Sequence, residues 1–92
     1  MSIVFAPEAL EDLRSAIEYI AARNPQAAAR LAERVLDVIE RLAERDFEGP
    51  EQKLHSGEVV RSWPVAPFRV YYQRGSDALH VLRLYHQARE PL

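Results

Sequence analysis

The chain has 92 residues, of which 48% are hydrophobic and 28% charged, a balance typical of an ordered globular protein with one small core, and we expect one domain over residues 1–92. It has no cysteine and no apolar run near the roughly 20 residues that cross a bilayer, which excludes disulfides and predicts a cytoplasmic protein. The net charge of −2 is unlike that of a dedicated nucleic-acid binder, yet residues 53–92 hold six basic residues against three acidic ones.

The N-terminal segment predicts a strand followed directly by a helix. Ser2 to Ala6 is a short run rich in β-branched and aromatic residues, which favours a strand. Pro7 fits the first position of a helix, because its missing N–H would have no partner there. Apolar residues then recur at spacings of three and four, as on one face of an amphipathic helix: Leu10, Leu13, Ile17 and Ile20.

A second helix is predicted to begin at Pro25. Pro25 disfavours the helical conformation at Asn24, and asparagine is among the best N-terminal caps. The second apolar stripe comprises Ala28, Leu31, Val35, Val38, Ile39 and Leu42. Because almost no linker separates the two helices, they should form an antiparallel hairpin.

The remainder of the chain predicts a loop and three strands. Residues 46–57 are polar and contain Gly, Pro and Gly, which indicates a loop. Strand-like runs follow at residues 58–63, 68–73 and 78–86. The predicted fold class is therefore α+β in the order β-α-α-β-β-β, with the N-terminal strand and the helical hairpin packed on one face of a small, largely antiparallel C-terminal sheet. The sequence leaves open the edge at which the first strand adds.

The alternation of side chains predicts which residues share a face of this sheet. A three-residue turn at residues 75–77 would pair Arg69 with Arg83 and Phe68 with Leu84, and would keep the apolar residues together under the helices. In that register His80 faces the helices. The opposite, open face would carry Arg69, Tyr71, Val81, Arg83 and Tyr85. Two like charges directly opposite each other are unfavourable for folding, so we predict that this face binds an anionic ligand or an acidic partner.

Four segments resemble the ParE/RelE toxin superfamily of bacterial toxin–antitoxin systems, most closely its ParE, or plasmid-stabilisation, branch. They are FAPEALEDL, YIAARNPQAAARLAERVLDVIERL, VRSWPVAPFRVYYQ and VLRLYHQARE. The resemblance implies a four-stranded, largely antiparallel sheet under a helical hairpin, a cognate antitoxin, and growth arrest when the antitoxin is lost. It also implies inhibition of DNA gyrase, which ParE-like members bring about without catalysis.

The resemblance to RelE-like members implies an alternative, a ribosome-dependent endoribonuclease that cuts messenger RNA. Its candidate catalytic residues are Arg69, Arg83, Tyr85 and His86, which would supply phosphate-binding cations and proton-transfer groups. Two features weigh against it. RelE-like nucleases are strongly basic, and strict alternation sends His86 to the face opposite Arg83 and Tyr85.

The antitoxin is the firmest partner prediction. The predicted cellular target is DNA gyrase, and the ribosome with its mRNA is the alternative target. Phe5, Val60 and Trp63 are candidates for apolar contacts with the antitoxin, although each suits a core or strand-edge position equally well. Arg89 matches a family arginine and is predicted to join the open binding surface. The sequence predicts no cofactor, and its three histidines lack the spacing of a metal motif.

Overall fold

The computed structural model describes residues 1–87, so the prediction for Arg89 falls outside the described residues. The elements in chain order are β1 (Ser2–Phe5), α1 (Pro7–Ala21), α2 (Pro25–Ala43), β2 (Glu51–Lys53), β3 (Val59–Val65), β4 (Phe68–Arg74) and β5 (Ala78–His86). Neither helix in this part of the chain combines the length and hydrophobicity that a bilayer crossing requires.

Both helices begin where the sequence predicts. Ala6 is the N-cap residue of α1 and Pro7 is its first helical residue. Asn24 caps α2, and its side-chain oxygen accepts a 3.1 Å hydrogen bond from the Ala27 N–H, while Pro25 occupies the first helical position. This cap satisfies one of the backbone donors that every helix start leaves without a partner.

The sheet confirms the α+β fold class, and it differs from the prediction in two details. Its strand order is β1-β5-β4-β3-β2, with β1 parallel to β5 and the other neighbours antiparallel. The N-terminal strand therefore lies in the sheet, at the edge beside β5, and does not pack on a face. The fifth strand, β2, lies in the segment predicted to be a loop.

The strand β2 carries little sequence signal because its side chains do not build the core. Its residues Glu51, Gln52 and Lys53 are polar, and they pair with Arg61, Val60 and Val59 of β3. Backbone ladder bonds can add such a strand to an existing neighbour irrespective of side-chain hydrophobicity. The prediction of a loop throughout residues 46–57 is therefore wrong for these three residues.

One face of the sheet and the apolar stripes of α1 and α2 enclose the core. Leu31, Val35, Ile39 and Leu42 of α2 are almost completely buried. The sheet contributes Val65, Val70, Tyr72, Leu79, Val81 and Leu84 to the same cluster. This burial is the main stabilisation of the fold, at roughly 25 cal/mol for each Å² of apolar surface removed from water.

A β-bulge changes the register of the last hairpin. Arg74 pairs with Leu79 and Tyr72 with Val81, whereas Tyr71 pairs with Arg83. Leu82 is therefore the extra residue, and every side chain after it changes faces relative to strict alternation. The predicted pairing of Arg69 with Arg83 and of Phe68 with Leu84 is wrong, because Arg69 pairs with Tyr85 and Phe68 with His86.

The turn before the bulge reverses the predicted faces of two further residues, because Arg74 pairs with Leu79 and not with Ala78 as a three-residue turn would require. Val81 was expected on the open face, but it is 2% exposed and belongs to the core cluster. His80 was expected under the helices, but it pairs with Gln73 on the other face and is exposed. A slip of one residue has this effect because neighbouring side chains of a strand point to opposite faces.

A polar network fixes the connection between α2 and β2. The Tyr72 hydroxyl donates to Glu48 Oε1 (2.5 Å) and accepts from the Gly49 N–H (2.8 Å). Arg74 donates to the other oxygen of Glu48 (2.8 Å), and Arg61 donates to the Gly49 carbonyl (2.7 Å). A side chain at Gly49 would collide with the backbone carbonyl of Ser62, so this close approach requires glycine.

Candidate functional site

The sheet face opposite the helices carries four of the predicted binding residues, and we call it the open face. Val70, Tyr72 and Leu84 face the core, so the intervening residues of β4 and β5 point the other way. Arg69 stands opposite Tyr85, and Tyr71 stands opposite Arg83. The four side chains therefore form one contiguous group across two strands.

Arg69 is held in place by a serine of the neighbouring strand. Its Nε donates a 2.9 Å hydrogen bond to Ser62 Oγ, and Ser62 is 2% exposed. Within residues 1–87 the Arg69 guanidinium makes no ion pair, so its charge is not neutralised by a carboxylate there. Such a cation is a natural partner for a carboxylate or phosphate of another molecule.

Tyr71 and Tyr85 form the aromatic centre of the open face. Their rings meet edge to face, with centroids 5.6 Å apart and planes inclined by 62°. This is a favourable arrangement for two aromatic rings. Burial raises the pKa of the Tyr71 hydroxyl above its ordinary value, and this outweighs the opposing effect of Arg69. Tyr71 is therefore neutral at physiological pH, and with only 6% of its surface exposed it lies beneath the open face.

Arg83 differs from Arg69 because its charge is already paired within the protein. Its Nε and Nη2 donate to the two carboxylate oxygens of Asp12 at 2.8 and 3.0 Å. The same carboxylate accepts the Leu84 N–H at 3.0 Å. The hydrogen bonds from Arg83 to Asp12 raise the pKa of Arg83. Its guanidinium carbon also lies 4.5 Å from the centroid of the Tyr85 ring, which is a cation–π contact.

The open face contains a shallow groove of about 260 Å³. Its apolar lining comes from Ala6, Leu54, Val60, Tyr71, Leu82 and Tyr85. Glu8, Glu58 and Arg83 are its charged residues, and the charge of Arg83 is paired with Asp12. The groove therefore offers an apolar floor with two carboxylates at its margin, and Arg69 is not part of its lining.

The four candidate nuclease residues do not converge. Arg69, Arg83 and Tyr85 share the open face, but His86 lies opposite Phe68 on the helix-facing side. The His86 imidazole contacts the Phe68 ring edge to face at 5.4 Å. Arg83, Tyr85 and His86 together line a second groove of about 620 Å³ between α1 and the end of β5, but Arg69 is not part of its lining. A substrate on the open face would have Tyr85 and the two arginines beside it, with the imidazole on the other side.

The remaining candidates have structural positions. Phe5 and Trp63 pack against the core cluster, and Trp63 also stacks on Phe47 with ring centroids 4.2 Å apart. Val60 is 1% exposed and forms part of the floor of the groove. Within residues 1–87, no three His, Cys, Asp or Glu side chains are grouped closely enough to hold a metal ion.

Sequence reasoning missed the two residues that hold the arginines. Asp12 is one of several acidic residues in the first turns of α1, and its acidic character there suggests only a helix-dipole role. Its partner Arg83 is 71 positions away. Ser62 is a small polar residue inside a strand, and only its burial against Arg69 distinguishes it.

Comparisons with known proteins give one family model and a solved structure of the same fold. The model of the family described as "ParE toxin of type II toxin-antitoxin system, parDE" matches residues 3–91. A solved structure from a chromosomal ParDE toxin–antitoxin system of P. aeruginosa superimposes with a TM-score of 0.74. It is 16% identical in sequence, and the match covers 94% of this chain and 95% of the other. No curated protein matches the sequence.

Proposed function

Since the chain belongs to the ParE toxin family of type II toxin–antitoxin systems, we propose that it arrests growth by inhibiting DNA gyrase in the cytoplasm and that a cognate antitoxin neutralises it. The family match over residues 3–91 is the observation that carries this proposal. The family also implies that the chain has an antitoxin partner.

The open face suits contact with another protein. It combines an apolar groove, two tyrosines and one cation without an internal ion pair among the described residues, Arg69. Tyrosine and arginine are enriched among the residues that dominate protein–protein binding energy. We assign gyrase binding to this face, with Arg69 and Tyr85 as its central contacts and the largely buried Tyr71 beneath them.

The first test distinguishes gyrase inhibition from ribosome-dependent cleavage of messenger RNA. The protein is expressed from an inducible promoter with and without the small gene next to its own, and the purified protein is added to a gyrase supercoiling reaction. We expect growth arrest only without the neighbouring gene, and loss of supercoiling with the purified protein. Codon-phased mRNA cleavage on translating ribosomes, with supercoiling intact, would contradict the proposal.

The second test concerns Arg69. The Arg69→Ala variant should need about tenfold more protein for half-maximal inhibition of supercoiling, which is the usual loss when a central arginine of an interface is truncated. Arg30→Ala is the matched control, because Arg30 is an exposed arginine on α2. Equal inhibition by the two variants would show that Arg69 does not contact gyrase and would contradict the assignment of gyrase binding to the open face.

A further inference from the structure

The hydroxyl of Tyr71 makes no hydrogen bond with any other group of residues 1–87. Tyr71 is 6% exposed and lines the groove of about 260 Å³ on the open face. The hydroxyl of its buried neighbour Tyr72, by contrast, has two partners, Glu48 and Gly49. Buried polar groups are nearly always hydrogen bonded, and one that is left without a partner is costly. The Tyr71 hydroxyl is therefore available to a polar group of another molecule that enters the groove.

The margin of the groove is acidic. Glu8 lies in the first turn of α1, Glu58 directly precedes β3, and both residues are exposed. In the described part of the chain neither carboxylate makes an ion pair, although Glu58 accepts a 2.8 Å hydrogen bond from the neutral amide of Gln73. The third charged residue of the lining, Arg83, is already paired with Asp12. Two uncompensated negative charges remain, so the groove attracts a cation and repels the phosphates of a nucleic acid.

The floor and the size of the groove suit a single long side chain. Leu54, Val60 and Leu82 make the floor apolar, and Tyr85 adds an aromatic ring. The volume of about 260 Å³ is below the roughly 300–1,000 Å³ of sites that enclose a small-molecule ligand. Lysine and arginine side chains lay an aliphatic stem along apolar surface and carry their charge at the tip. A side chain of this kind matches the floor, the carboxylates and the Tyr71 hydroxyl together.

We propose that the groove binds an arginine side chain that a protein partner inserts into it. The stem of this arginine covers Val60 and Leu82, and its guanidinium donates to the Tyr71 hydroxyl and to Glu8 or Glu58. Arginine fits better than lysine, because its five N–H donors in a planar fork can serve the hydroxyl and a carboxylate at once. Because the groove lies on the open face, the inference rests on the proposed function in assigning this arginine to gyrase.

Titration with N-acetylarginine amide, followed by NMR, tests the groove without gyrase. We expect saturable shifts of the Leu54, Val60 and Leu82 signals with a Kd on the order of 1–10 mM, since one side chain supplies all the contacts. The control probes are N-acetylnorleucine amide, which has an unbranched apolar side chain, and N-acetylglutamate amide. Both should bind about tenfold more weakly or not at all. Equal binding of the norleucine and arginine probes, or no saturable binding of the arginine probe, would overturn the inference.

Matched double variants connect the groove to gyrase inhibition. Glu8→Gln combined with Glu58→Gln removes both carboxylates from the margin. Glu33→Gln combined with Glu40→Gln changes two exposed carboxylates of α2 and is the control. We expect the first variant to bind the arginine probe about tenfold more weakly and to need about tenfold more protein for half-maximal inhibition of supercoiling. The control should match the unaltered protein in both measurements, and circular dichroism establishes that both variants fold.

Tyr71→Phe separates binding from folding. The hydroxyl has no hydrogen bond to lose within residues 1–87, so the variant should unfold at the same urea concentration as the unaltered protein or at a higher one. It should nevertheless bind the arginine probe about threefold more weakly or weaker still, because one acceptor of the guanidinium is gone. A variant that is less stable but binds the probe normally would show that the hydroxyl serves the fold, contrary to the inference.

The outcomes distinguish this inference from the proposed function. If the unaltered protein and the variant without both carboxylates inhibit gyrase equally, the inference is overturned and the proposed function stands. If the unaltered protein does not inhibit gyrase, the proposed function fails, and the assignment of the arginine to gyrase fails with it. The titration with the arginine probe then still decides whether the groove binds an arginine side chain.

Discussion

Asp12 makes three hydrogen bonds that tie α1 to the last strand. β1 covers β5 only from Ala78 to Val81, so the outward backbone of the following residues needs another partner. Asp12 supplies one by accepting the Leu84 N–H, and it neutralises Arg83 at the same time. Among residues 1–87, the cationic character of the open face consequently rests on Arg69, because Arg83 is already paired with Asp12.

Replacing Asp12 should therefore destabilise the fold. Asp12→Ala leaves the Leu84 N–H and the Arg83 guanidinium without their acceptor, and we expect it to lower the free energy of unfolding by about 1–3 kcal/mol, a range that allows for partial exposure of the pair. Asp12→Asn retains an acceptor and should lower the free energy of unfolding by a smaller amount. Urea unfolding monitored by circular dichroism measures both. Glu11→Ala, which removes an exposed helix-surface carboxylate, is the control, and an equal effect at positions 11 and 12 would refute this role.

At the scale of the element, the bulge at Leu82 decides what β5 contributes. Leu79 and Val81 face the core before the bulge, and Leu84 faces it afterwards. Strict alternation from Val81 would instead turn Arg83 and Tyr85 toward the helices. The extra residue allows one strand to supply the core at both of its ends and still present Arg83 and Tyr85 on the open face.

The helical hairpin depends on the cap at its turn. Asn24→Ala removes the acceptor for the Ala27 N–H at the start of α2, and we expect a loss of about 1 kcal/mol. For a domain of this size, that loss corresponds to a fall of about 4–8 °C in Tm, measurable by thermal circular dichroism. Asn24→Asp keeps an oxygen acceptor, and its Tm should be close to that of the unaltered protein. Equal melting of all three proteins would show that the cap contributes nothing.

At the scale of the whole molecule, the Tyr72 network joins the helical layer to the sheet. Tyr72 is fully buried in β4, and its hydroxyl binds both Glu48 and Gly49 in the connection between α2 and β2. Burial, supported by the hydrogen bond to Glu48, raises the pKa of Tyr72 to about 12. The hydrogen bond from Arg74 lowers the pKa of Glu48. At neutral pH, Glu48 is therefore ionised and Tyr72 is neutral.

The pKa of Tyr72 predicts how stability depends on alkaline pH. Because the folded state holds the proton more tightly than the unfolded state, the contribution of Tyr72 is complete below pH 10 and is lost as pH rises toward about 12. Tyr72→Phe should lower stability at neutral pH and flatten this alkaline decline, as measured by urea unfolding from pH 8 to pH 11, roughly. Tyr19→Phe alters a tyrosine that is 63% exposed and should leave the decline unchanged. A decline that persists in full in Tyr72→Phe would contradict the assignment.

Much of the candidate site was accessible from the sequence, but its electrostatics were not. The alternation of β4 correctly placed Arg69 and Tyr71 on the open face, because that strand has no bulge of its own. Arg83 and Tyr85 were placed on the same face although the pairing from which this was argued is wrong. The neutralisation of Arg83 depends on Asp12, and no local pattern connects two residues that are 71 positions apart.

The sequence by itself determined the features that depend on neighbouring residues. The helix starts at Pro7 and Pro25, the hairpin, the order of the main strands and the toxin family all follow from caps, periodicity and segments of contiguous sequence. Only the tertiary structure decided the bulge at Leu82, the added strand β2, and the placement of β1 beside β5. These features depend on which backbone groups and charges meet across the sheet. Several strand registers are nearly equal in energy when only neighbouring residues are considered, and long-range contacts select one of them.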